Sequence, residues 1–143
     1  MVAREENRMT RAATIALALA LSALVTPSSG QDGGALYEKH CASCHGKDLE
    51  GQPDWMARKE EGRLPAPPHD ETGHTWHHFD RQLLAITRDG LAAIAPGYET
   101  DMPAFGELLS DEEILSILDY IKGHWPEREK GYQEARSRAD PIK

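Results

Sequence analysis

The sequence lacks a surplus of basic residues. Its 143 residues include 16 Lys and Arg against 24 Asp and Glu, for a formal net charge of −8. Proteins that bind nucleic acids neutralise phosphates with a basic surface, so this composition argues against that function class. An acidic chain is instead attracted over long range to a basic protein partner. The length fits one ordinary domain.

The alternation of apolar and polar residues that is typical of strands is also absent, and so are internal repeats. Apolar residues recur at helical spacing instead. Helices are predicted over residues 35–42 and 81–88, and a third begins after Ser110 and ends at Gly123. The sequence therefore predicts an all-α fold with three main helices and long loops.

Two helix starts carry local signals. Ser110 and Glu113 have the spacing of a capping box, in which each side chain binds the backbone N–H of the other residue. Asp80 is the predicted N-cap of the middle helix. Phe79 and Leu84 flank it at the spacing of a hydrophobic staple.

Cysteine is scarce, and its two copies lie together in Cys41-Ala42-Ser43-Cys44-His45. This C-x-x-C-H spacing lets both sulfurs reach the two vinyl groups of one haem, and it is typical of c-type haem attachment. The following His45 offers its imidazole to the iron. Phenylalanine is scarce too, with two copies, and a large flat cofactor would supply the missing core. The prediction is one covalent haem c.

Three other uses of the motif compete with haem attachment: a disulfide, a redox dithiol and a zinc site. A disulfide across two intervening residues would close a very small loop and stabilise little. A thioredoxin-like dithiol is expected in a βαβ context, which the chain lacks. A zinc site would need His74 and His78, but 29 residues separate Cys44 from His74, more than the usual interval of about 12 to 15.

Met102 is the predicted second axial ligand, because a thioether is a soft neutral donor to haem iron. It lies 57 positions after His45, which is enough chain to cross to the opposite face, and Pro103 stiffens its loop. Met56 follows the motif too closely to do the same. A histidine from residues 69–78 remains the alternative ligand.

The first 30 residues lack an apolar run long enough to span a membrane as a helix, which takes about 20 residues. Residues 12–25 form an apolar run interrupted only by Thr14 and Ser22, basic residues precede it and small residues follow. This pattern predicts a signal peptide over residues 1–30 and a periplasmic location. An uncleaved anchor and a true start at Met9 are alternatives. Residues 31–126 form the predicted monohaem domain, and the charged tail 127–143 is predicted to be a solvated helix or frayed coil.

Three features together resemble the class I c-type cytochromes: the Cys41–His45 motif, Met102-Pro103, and the last helix with Tyr120. The resemblance covers residues 33–125. It implies a cytochrome c fold around one haem, in which Gly33 and Tyr37 of the first helix pack against Tyr120.

The resemblance also implies neighbours for the haem and its ligand. A proline carbonyl accepts a hydrogen bond from the histidine Nδ1 in this family, and Pro53 is the predicted counterpart. Trp76 is predicted to donate its indole N–H to a haem propionate; the alternative is an amphipathic residue at a loop–helix junction. The histidines of residues 69–78 are either solvated or a transient copper or zinc site.

The predicted function is one-electron transfer by a haem whose two axial positions are filled, without enzymatic activity. Its partners would be other redox proteins, and the chain is expected to be a monomer. The alternative is a haem-based ligand sensor or a small peroxidase-like enzyme, which would require that Met102 leaves the iron easily.

Overall fold

The structure is a computed structural model that describes residues 32–141. Within this part of the chain the fold is all-α, as predicted, with five helices and no strand. The helices are α1 (Gly33–His40), α2 (Ala42–His45), α3 (Asp80–Asp89), α4 (Asp111–Gly123) and α5 (Glu127–Arg138), with short 3-10 helices at Thr75–His77 and Leu91–Ala93. The three predicted main helices correspond to α1, α3 and α4.

The chain breaks its helical path at Cys41, where a single helix through Ala42 was expected. The Asp32 side chain caps the start of α1 by accepting a hydrogen bond from the Gly34 N–H (3.0 Å). A turn at Cys41 then starts α2, whose His45 N–H donates to the Cys41 carbonyl (2.9 Å). The break gives the two cysteines and His45 a short helical segment of their own.

Helix α1 packs against α4 at very close range. A Cβ on Gly33 would lie 2.0 Å from the Ser116 carbonyl oxygen, so only glycine fits. One turn further along α1, the Tyr37 ring contacts the Tyr120 ring, with centroids 5.4 Å apart. The contact of Tyr37 with Tyr120 that the resemblance implied is confirmed, and Gly33 packs against the α4 backbone at Ser116.

The apolar core lies between α1, α3 and α4 and extends to the residues next to them. On α4 the core is formed by four apolar side chains at helical spacing, and all four are buried: Ile114, Ile117, Leu118 and Ile121. The members of this core are Leu36, Tyr37, Leu49, Leu83, Leu109, Ile114, Ile117, Leu118, Ile121 and Trp125.

The capping box of α4 is confirmed. Glu113 donates its N–H to Ser110 Oγ (3.2 Å), and the Ser110 N–H donates to Glu113 Oε2 (2.9 Å). The predicted cap of α3 is wrong, because Asp80 is the first residue of that helix and Phe79 precedes it as the cap. The Asp80 carboxylate is drawn away from its own helix by Lys122 of α4 (2.5 Å) and Gln133 of α5 (2.7 Å).

The tail is a helix, as one of its two predicted alternatives had it, but the prediction that this helix is solvated is wrong, because α5 packs against the 3-10 helix Thr75–His77 and buries Glu129 and Gln133. The Tyr132 ring meets the Trp76 ring edge-on, with centroids 5.4 Å apart. Gln133, which is 2% exposed, donates to the His78 carbonyl (3.3 Å).

Arg81 and Asp140 form a two-pronged ion pair, with both contacts at 2.9 Å. The boundary drawn at residues 126 and 127 stays a prediction.

The predicted signal peptide lies outside the described residues. Among residues 32–141, none of the helices combines the length and the apolar character that crossing a membrane requires.

Candidate haem-binding site

The three residues of the motif differ in exposure. Cys44 is exposed, Cys41 is partly buried and His45 is only 6% exposed. Both thiols are free. Burial, with a smaller contribution from the Cys44 charge, raises the pKa of Cys41 to about 11. A redox-active dithiol needs a lowered thiol pKa, so this environment disfavours the dithiol alternative.

His45 is held by a backbone carbonyl. Its Nδ1 lies 2.8 Å from the Pro67 carbonyl oxygen. A carbonyl can only accept, so Nδ1 carries the hydrogen and Nε2 carries the free lone pair. Burial lowers the pKa of His45, and the hydrogen bond to Pro67 only partly opposes this. The His45 ring can therefore act as a neutral metal ligand through the lone pair of Nε2.

The prediction that Pro53 supplies this carbonyl is wrong. Pro53 lies in an exposed turn, whereas the later proline-rich loop folds back over the motif. The Gly51 N–H donates to the His45 carbonyl (2.7 Å), and the Gln52 N–H donates to the Ala66 carbonyl (2.9 Å). Gly51 has φ +69°, and a Cβ there would lie 2.4 Å from Pro68 N. This close approach brings the Pro67 carbonyl to His45.

The sequence named His69 only among the alternative ligands of residues 69–78, and the structure places it directly against the motif. Its ring stacks on the His45 ring with centroids 4.0 Å apart and planes 22° from parallel. Thr75 Oγ1 lies 2.7 Å from its Nδ1. The His69 N–H donates to the Leu49 carbonyl (2.8 Å), and its carbonyl accepts from Trp125 Nε1 (2.7 Å). The loop is therefore fixed on both sides of this ring.

Met102 lies half-buried in a loop that is tied down at both ends. The Asp101 carboxylate binds Arg63 (2.5 Å) and Lys59 (3.3 Å), and the Met102 N–H donates to Thr100 Oγ1 (3.1 Å).

After Pro103, the Phe105 N–H donates to the Thr87 carbonyl near the end of α3 (2.9 Å). Met56, its competitor, is 76% exposed.

Trp76 carries a buried polar atom that has no partner among the described residues. Its indole Nε1 makes no hydrogen bond, although the ring contacts His77 (centroids 3.7 Å apart) and Tyr132. A buried unpaired donor costs about 1–3 kcal/mol, so an acceptor is expected there. A haem propionate would be such an acceptor, and this role of Trp76 stays a prediction.

The histidines of the 3-10 region take part in aromatic contacts. His74 stacks on Trp55 (centroids 5.7 Å apart) and meets the His78 ring edge-on, while His77 stacks on Trp76. Over residues 32–141, no three side chains of His, Cys, Asp or Glu come together as a candidate metal site. The copper or zinc alternative therefore finds no support in this geometry.

The residues present fit a haem bound through the motif. The two free thiols lie beside the buried, neutral imidazole of His45, whose Nε2 does not carry the hydrogen. The buried indole N–H of Trp76 has no hydrogen-bond partner among the described residues. Fold and site together define a small c-type cytochrome.

The comparisons with known proteins agree. The family described as cytochrome c oxidase, cbb3-type, subunit III matches residues 28–121, and the chain belongs to this family. The fructose dehydrogenase cytochrome subunit of Gluconobacter japonicus is 34% identical over 117 residues, which are 78% of this chain and 21% of that protein. The chain thus spans about a fifth of the relative's length. No solved structure matches. Family and relative support electron transfer by a c-type haem as the function.

Proposed function

We propose that the chain is an exported one-electron carrier with a single haem, bound through Cys41 and Cys44. The observation that carries the proposal is the hydrogen bond from His45 Nδ1 to the Pro67 carbonyl (2.8 Å) beside two free thiols. Each thiol would add its sulfur and hydrogen across one vinyl group, so no atoms are lost and no oxidant is needed. The haem supplies an iron that cycles between ferric and ferrous states.

His45 and Met102 are the proposed axial ligands. The Pro67 carbonyl fixes the His45 tautomer and increases the basicity of Nε2. The loop with Met102 is tied to Arg63 on one side and to α3 on the other, which suits a ligand held in a fixed place. His69 suits the second axial role poorly, because its ring face stacks on His45, whereas two ligands across one iron point their nitrogens at each other.

Electrons would enter and leave at the exposed Cys44 edge, where another redox protein docks. The acidic net charge favours a partner with a basic face. We further propose that the chain acts in the periplasm as a monomer and has no catalytic activity of its own, since both axial positions are filled.

Substitution of Met102 by Ala tests the ligand assignment. We expect the weak far-red band of ferric sulfur-to-iron coordination to disappear and the reduction potential to fall, because a thioether ligand raises the potential. Met56→Ala is the matched control and should leave both unchanged. If the far-red band and the reduction potential are unchanged in Met102→Ala, the second axial ligand would have to be assigned to a histidine instead. Rapid binding of CO to the unmodified protein would favour a ligand sensor instead.

The mass of the protein exported by a host that matures c-type cytochromes tests the remainder. We expect the mass of the chain without its leader plus one haem. A colourless protein with both thiols free would overturn the proposal.

A further inference from the structure

We infer that His69 is a positioning residue that sets the orientation of the His45 ring about its bond to the iron. The inference rests on the proposed function, because it assumes that His45 is an axial ligand. It adds a second protein contact, made through the ring face, to the hydrogen bond at Nδ1.

The hydrogen bond to the Pro67 carbonyl does not by itself fix the tilt of the His45 ring plane. A single hydrogen bond at Nδ1 (2.8 Å) fixes the tautomer and the direction of the ring edge, but it tolerates some tilt of the ring plane. A flat ring stacked at a centroid distance of 4.0 Å and 22° from parallel resists that tilt.

His69 can act as a reference surface because it is itself held from several directions. Thr75 Oγ1 lies 2.7 Å from Nδ1, and Thr75 is only 8% exposed. The backbone on either side of the ring is bound to Leu49 and to the Trp125 indole. The Tyr37 ring meets His69 edge-on, with centroids 6.3 Å apart.

Histidine differs from an apolar residue in this place. A leucine would fill a similar volume, but it offers no flat face and no partner for the buried Thr75 hydroxyl. A buried hydroxyl without a partner is costly. The hydrogen bond between His69 and Thr75 therefore fixes the plane of the His69 ring, which the packing of an apolar side chain would not do.

The test uses the ferric holoprotein with His69→Leu and Thr75→Val. The electron paramagnetic resonance g-values and the order of the haem methyl proton shifts both report the orientation of the axial ligands. We expect His69→Leu to shift the largest g-value and reorder the methyl shifts, and Thr75→Val to do the same to a smaller extent. His124→Leu, which removes an exposed histidine ring at the C-terminal cap of α4 and outside residues 69–78, is the control and should leave the spectra unchanged.

Wild-type spectra from folded His69→Leu and Thr75→Val proteins would overturn the inference. If His69→Leu fails to assemble, the decision rests on Thr75→Val, which keeps the shape of the side chain. A wild-type protein without a low-spin haem would instead overturn the proposed function. The two failures are therefore distinguishable.

Discussion

At the scale of the single residue, three kinds of contact meet on His45: a backbone carbonyl at Nδ1, a stacked ring on its face and the Gly51 N–H on its carbonyl. Each of these contacts depends on the loop that crosses the motif. The loop comes this close because Gly51 has no Cβ. The geometry of His45, the proposed iron ligand, therefore depends on a residue that carries no functional group.

Substitution of Gly51 by Ala should separate the loop from His45. The positive φ costs an alanine about 1–2 kcal/mol, and the overlap with the Pro67–Pro68 backbone adds about 1–3 kcal/mol. As the Pro67 carbonyl moves away, Nε2 of His45 becomes less basic, so the reduction potential should rise. Urea unfolding and redox titration measure the two effects.

Gly62→Ala is the matched control. Gly62 also has a positive φ (+84°), but a Cβ there would meet nothing within 4 Å. It should cost only the backbone term and leave the potential unchanged. Equal losses of stability in the two variants would refute the role of the close approach.

Residue roles could be predicted from the sequence where the signal is local. The C-x-x-C-H spacing and the Ser110–Glu113 box need only a few neighbouring residues, and the box is confirmed. Pro53 was the wrong proline because the choice between it and Pro67 depends on how a loop of 20 residues folds back. His69 was named only within the group of residues 69–78, and its stacking on His45 could not be predicted, since ring stacking across a loop has no sequence period.

At the scale of the elements, Asp80 connects three helices. Its carboxylate lies at the start of α3 and binds Lys122 of α4 and Gln133 of α5. Burial favours the protonated acid, but these hydrogen bonds outweigh it, so the pKa of Asp80 is lowered. This connection replaces the cap that the local sequence predicted, a case in which tertiary partners prevail over a local propensity.

Asp80→Asn should therefore lower the free energy of unfolding by about 1 kcal/mol at pH 7. Because the folded-state pKa is lowered, the carboxylate stabilises the protein above its unfolded pKa and loses this effect as the pH falls through the folded pKa. The gap between wild type and variant should thus be constant at pH 7 and 5 and shrink below pH 4. Urea unfolding at each pH measures it.

Asp119→Asn is the control, since Asp119 is 76% exposed and lies 3.8 Å from the same Lys122. It should change the stability little at any pH. A gap between wild type and Asp80→Asn that is as large at pH 3 as at pH 7 would contradict the role of the charge.

Helical periodicity predicted α4 well because its apolar face is continuous. It said little about α5, because that helix is polar all round and the side chains it buries are Glu129 and Gln133. A helix of this kind is fixed by hydrogen bonds to its neighbours rather than by an apolar stripe. Its docking could not be read from composition.

At the scale of the whole molecule, the family match ends at residue 121, whereas the packed structure continues to residue 140. Helix α5 covers Trp76 through Tyr132, and Asp140 binds Arg81 of α3. The tail thus lies over the region where the propionate of a haem is expected. It is a part of this fold that the family pattern does not include.

Truncation after Pro126 should lower the melting temperature of the holoprotein by about 5–15 °C, since loss of the α5 contacts costs a few kcal/mol. The truncated chain keeps Trp125 and its bond to the His69 carbonyl (2.7 Å). The contacts of His45 and Met102 do not involve α5, so the far-red band should persist. Circular dichroism and visible spectra of one sample measure both. Glu134→Ala, at an exposed position of α5, is the control and should change the melting temperature little. A truncated protein that melts at the same temperature as the full chain would show that α5 adds no stability.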